Sequence, residues 1–150
     1  MPESLYHPEN TAARELLRGF IQRASDADLR QPMPAGWTVS GVLAHLAFWE
    51  LRALTLLRKW QAEGISPSAV DIDVINETAR RLCLAVEPRA AAELLQQSAA
   101  ELDALIEQLD PDFIAQVETH GKTVRLNRAS HRRAHLDEIH RALGWPPVEG

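Results

Sequence analysis

The chain has one cysteine, Cys83, among 150 residues. It can form no intrachain disulfide and no cysteine-rich metal site, which suits a reducing cytoplasm. Its seven glycines are scattered, so no loop cradles phosphate through clustered backbone N–H groups. No stretch approaches the roughly 20 apolar residues that span a bilayer. The opening "MPESLYHPEN" lacks both a basic start and an apolar run, so a secretory signal is not expected. Basic residues are in deficit, 16 against 21 acidic, for a net charge of −5. That balance excludes a global electrostatic hold on nucleic acid. The local exception is "RLNRASHRR", whose four arginines read as a solvated helix face, with contact to an anion as the alternative. No internal repeat, low-complexity tract or Ser-His-Asp spacing is visible, and Cys83 is expected to pack inside rather than act as a nucleophile.

What is present is ordinary globular material. Apolar residues make up 45% and charged residues 25%, enough to build a core without covalent staples, and residues 1–150 read as one domain. The apolar spacing is helical almost throughout. A first helix is expected from about Glu9 to Ser25, with Leu16, Leu17, Phe20 and Ile21 on one face, followed by a capped turn at "SDADL". The prolines and glycine of "QPMPAGW" predict a loop. A second helix runs from Val39 to Glu63, capped by Thr38 or Ser40, whose hydroxyl can accept an orphaned N–H. A third starts at Asp71 or Asp73 and reaches about Leu82. "VEPRAAAELLQQSAAELDALIEQLD" is the clearest helix, with Pro88 in its first turn. "QVETHGKTVRL" alternates around Gly121 and predicts a short β-hairpin before the last helix. That last helix is capped by Asn127 and ends at Leu143, before Gly144 and Pro146-Pro147. The expected fold is all-α, a four-helix bundle.

Three of the six histidines fall in "HRRAHLDEIH", residues 131–140. At about 100° per residue, His131 and His135 share a helix face one turn apart, and two neutral imidazoles so placed can bind one transition metal. A histidine-rich solvated helix is the other reading. Arg132 follows the first histidine where a zincin would carry its glutamate base, so that motif is excluded. His140 is about 180° from His131 and should face solvent. His45 lies in an otherwise apolar segment; it is either a hydrogen-bonded core residue or a third ligand. In a bundle, facing helices can bring three histidines to one ion and leave coordination positions open, as catalytic sites do.

"PAGWTVSGVLAHLAFWE", followed late in the chain by "HRRAHLDEI" and "ALGWP", resembles the DinB-like (YfiT-like) metal-binding superfamily over nearly the whole chain. The matching positions are His45, His131, His135, Glu138, Ile139, Leu143 and Gly144. The resemblance implies an up-down-down-up bundle with a divalent ion, commonly zinc or nickel, on His45, His131 and His135. It also implies kinship with transferases or isomerases that use low-molecular-weight thiols, and with proteins that often dimerise. Glu138 replaces the family's common glutamine and Leu136 a frequent arginine; neither is one of the three ligands.

Around this site, Asn76 and Glu77 are polar residues beside Val74 and Ile75; the family's similar asparagine lines the pocket, and a surface position is the other reading. Glu50 and Glu138 can orient a ligand histidine, or be solvated carboxylates. Trp37 and Trp49 close the pocket or fill the core, the core being the expected place of Trp49. The leading functional expectation is a divalent-metal-dependent enzyme acting on a small molecule, best a thiol-using transferase. A metal-dependent hydrolase and a non-enzymatic, metal-stabilised binding module are the alternatives. No nucleic-acid or membrane partner is expected.

Overall fold

The structure, a computed structural model, describes residues 5–149; the first four residues of the opening stretch and Gly150 lie outside it. Seven helices occur among these residues: α1 His7–Arg23, α2 Asp26–Arg30, α3 Val39–Glu63, α4 Ile72–Ala85, α5 Pro88–Glu107, α6 Pro111–His120 and α7 Ala129–Leu143. Two two-residue strands, β1 Pro32–Met33 and β2 Trp37–Thr38, pair antiparallel.

Local chemistry sets the boundaries. Ser25 and Asp28 form a reciprocal capping box at α2. Thr38 Oγ1 accepts the Gly41 N–H at 3.0 Å and opens α3 at Val39. Asp71 caps α4, and the carboxylate of Glu87, just before Pro88, accepts the N–H groups of Arg89 and Ala90 in the first turn of α5. Asn127 Oδ1 accepts the Ala129 N–H at 3.0 Å, and Gly144, with φ 67°, takes the left-handed position that ends α7.

The bundle consists of α1, α3, α5 and α7, with α4 laid against α3. Its directions follow from which ends meet. Val42 and Leu43 cluster with Ala92 and Leu95, and Leu57 and Trp60 with Leu102 and Ile106, so α3 and α5 run parallel. Arg14 meets Asp103, and Arg89 meets the Ala24 carbonyl, so α1 opposes α5. Asn10 meets Arg128, and Phe20 meets His140, so α1 and α7 run together. The order is up-down-down-up, with α4 as the return between the two parallel helices.

The hairpin is not where the alternation pointed. Residues 111–120 form a helix because Asp110 and Pro111 start one, and Val117 turns inward to join Val124 and Leu126 in one apolar cluster. Gly121 serves close approach there, since a Cβ would stand 2.6 Å from the Trp60 ring. The strands occur instead in the proline-rich segment read as a loop, around a turn in which Ala35 and Gly36 take φ of 60° and 78°. α3 departs from the expectation that no stretch suits a membrane span. By length and composition it is long and apolar enough to cross a bilayer, yet about two-thirds of the apolar stretch is buried inside the bundle.

The core comprises two large apolar clusters separated by a polar layer, and a small third one in which Cys83 and Ala79 of α4 pack on Ala44 and Ala91. Arg132, fully buried on α7, uses all five N–H donors. Nε and Nη2 donate to the two Glu50 oxygens at 3.1 and 3.0 Å. Nη2 and Nη1 donate to the two Asp103 oxygens at 2.8 and 2.9 Å, and Nη1 also donates to the Asn10 carbonyl at 3.0 Å. Each of the four bundle helices supplies a member. Burial acts to lower the Arg132 pKa, but its hydrogen bonds to Asp103 and the Glu50 charge outweigh that and hold it above the usual arginine value. Two arginines of "RLNRASHRR", Arg128 and Arg132, are therefore buried rather than solvated.

Candidate metal centre

His45 projects from α3, and His131 and His135 from the facing side of α7, flanking the polar layer. One ring nitrogen from each comes within 4.8 Å of the others. The Nε2 atoms of His131 and His135 are 3.2 Å apart. Two nitrogens bound tetrahedrally to one ion at about 2.0–2.1 Å would be about 3.3 Å apart, so the α7 pair already has the separation a metal requires. The ring of His45 lies 4.8 Å from that of His135 and 5.9 Å from that of His131.

Two features keep these nitrogens available. Burial first, then the neighbouring His135, hold the His45 pKa at about 4. Burial, His135 and Arg128 hold His131 at about 3. Both rings are thus neutral at physiological pH, the form that ligates metal. In addition, the Glu138 carboxylate meets His135 Nδ1 at 3.1 Å, which leaves Nε2 facing His131. Among the described residues no fourth histidine, cysteine or carboxylate joins the group. The donor set is all imidazole, suited to zinc, nickel, copper or iron rather than to calcium or magnesium.

The histidines open onto a cavity of about 740 Å³. Trp49 forms part of its wall rather than core, and its Nε1–H donates to Asn76 Oδ1 at 3.0 Å, fixing both side chains at the rim. Trp37 packs edge-on against His45 with ring centres 5.4 Å apart, held there by β2. Glu77 turns away and pairs with Arg80. Glu50 is buried but neither orients a histidine nor meets solvent, because Arg132 and Arg128 occupy its oxygens. His140 points away from the triad, as its phase requires, and is half-buried rather than fully solvent-facing. It packs against Phe20 and Trp145, and the Pro146 carbonyl lies 2.7 Å from its Nδ1. Sequence reasoning missed Asn10 and Asp103; the carboxylate of Asp103 inside the apolar stripe of α5 was the available signal.

The histidine shifts set a pH dependence for protein stripped of metal. In the unfolded chain these imidazoles protonate near 6.5. In the folded chain His45 stays neutral to about 4 and His131 to about 3. Between those values the unfolded state binds more protons, so stability falls as pH drops below about 6.5. Urea midpoints of chelated protein should decline from pH 7 to pH 5, and the decline should shrink in His131→Asn. A flat profile over that window would show that the rings are not held neutral.

A sequence profile of the DinB superfamily matches residues 9–147, which include all three histidines. No curated protein and no solved structure matches the chain significantly.

Proposed function

The chain belongs to the DinB superfamily, and from that premise we propose that it is a divalent-metal-dependent enzyme, a transferase that uses a small thiol. The observation that carries this reading is the convergence of three imidazoles, two of them held neutral by burial, with no fourth protein ligand among the described residues, at the wall of a cavity large enough for a small molecule. A site built only for stability would be closed by a fourth ligand. A divalent ion held by His45, His131 and His135, zinc or nickel foremost, supplies Lewis acidity and lowers the pKa of a thiol or water.

The protein's own groups favour a thiol over water. Glu50 is locked by two arginines, and Glu138 is engaged with His135, so no carboxylate beside the triad stands ready as a general base. A thiol, with a pKa near 8.5, needs little help to ionise, whereas water needs far more. Trp49 and Asn76 would position the second substrate at the rim, and Trp37 shields the His45 side from solvent. The reducing cytoplasm is the compartment where such a thiol is available.

The test is elemental analysis of tag-free protein followed by chelation. One equivalent of a divalent transition metal is expected. Its removal should lower the melting temperature by a few degrees without unfolding the chain, because ligand binding stabilises only by mass action and the apolar clusters remain. A screen of thiols against electrophilic acceptors should then show transfer that disappears on chelation. Failure to take up stoichiometric metal would overturn the proposal, and unfolding on chelation would make the site structural.

A further inference from the structure

We propose that the cavity beside the histidines contains an anion subsite, in which Lys122, Arg125 and Arg128 receive a carboxylate of the substrate. The subsite rests on the metal-centre reading only insofar as the rest of that substrate is taken to meet the triad. Three cationic side chains line the cavity, and no aspartate or glutamate does, in a chain whose overall charge is −5. Among the described residues, Lys122 and Arg125 make no ion pair.

The polar layer strengthens the cationic field. There Arg14, Arg128 and Arg132 share only Glu50 and Asp103, so one positive charge is left over. Arg128 makes the longest of these contacts, 3.4 Å to Glu50, and it is the one residue of the three that lines the cavity. The first turn of α7 also faces the cavity through Ser130 and His131, adding the positive end of a helix dipole. A cleft with low-dielectric walls lined by one sign of charge concentrates ligands of the other sign.

Arg128, at the N-cap of α7, and His131 in its first turn both line the cavity, so a short molecule carrying a thiol and a carboxylate a few carbons apart is the natural probe.

The test compares 3-mercaptopropionate with its uncharged amide on cobalt-loaded protein, following the change in cobalt absorption on thiolate ligation. The acid should bind roughly tenfold more tightly, the gain of one charge-assisted contact. The advantage should shrink with added salt and vanish in Lys122→Gln/Arg125→Gln, whose exposed positions should leave the fold intact. Equal affinity for acid and amide in the wild type would overturn the subsite and leave the metal centre standing. If the wild type takes up no cobalt, the metal reading fails separately. The subsite is then decided by the melting temperature of metal-free protein in succinate against succinamide at matched ionic strength. A rise confined to succinate and lost in the double variant supports it; no rise overturns it.

Discussion

Replacing Arg132 with methionine should lower stability by about 3–5 kcal/mol, the typical effect of removing one partner from a buried ion pair. For a chain of this length that corresponds to a fall in melting temperature of roughly 10 °C. The reason is what is left behind. Glu50 is fully buried and Asp103 nearly so, and together they lose four hydrogen bonds in a layer between two apolar clusters. Arg128 reaches only Glu50, and Arg14 only Asp103, each by a longer contact. Arg132→Lys should recover little, because an ammonium has three donors and no planar fork to serve two carboxylates at once. Equilibrium urea unfolding of the two variants measures this directly. A loss below about 1 kcal/mol in Arg132→Met would mean that solvent enters the layer and that it does not hold the four helices in register. The layer matters to the site because His131 and Arg132 are adjacent on α7. Fixing the guanidinium between α3 and α5 also fixes the height at which His131 and His135 face His45.

How much of this was legible in the sequence depends on whether the deciding interactions are local. The second helix was bounded correctly because Thr38 caps it and Gly64 ends it. The last was bounded by Asn127 and Gly144 for similar reasons. The i,i+4 histidines could be phased from helix geometry alone, but bringing His45 to them needed the family resemblance, since no local rule relates α3 to α7. The polar layer was illegible because its pairs are 29 and 82 residues apart and its arginines look like any basic helix face. The hairpin expected over "QVETHGKTVRL" fails at residues 116–120 because a short helix with few apolar positions can alternate as a strand does, and Asp110-Pro111 already starts that helix. His140 had the right phase, but the chain after Gly144 folds back and lays Trp145 over it.

His135→Ala should abolish tight metal binding while His140→Ala leaves it intact, although both remove one imidazole from α7. His135 carries an Nε2 3.2 Å from that of His131, and its removal leaves two protein ligands where the geometry offers three. His140 faces the opposite way, into Phe20 and Trp145, so its loss should appear as reduced stability, about 0.5–1.5 kcal/mol for an aromatic contact, with metal affinity unchanged. Glu138→Ala supplies the intermediate case. It keeps all three ligands but frees His135 Nδ1, and losing such an outer partner typically weakens metal affinity by about 10- to 100-fold. The expected order of dissociation constants, from competition with a chromogenic chelator, is therefore His135→Ala weakest, Glu138→Ala between, and His140→Ala equal to the wild type. Each arm of this series isolates one inference. Equal metal loss in His135→Ala and His140→Ala would show that the ion sits on neither face as assigned. Full retention in His135→Ala would remove that residue from the ligand set. An unchanged Glu138→Ala would leave the three ligands in place and show that the bond between Glu138 and His135 does not orient the ring.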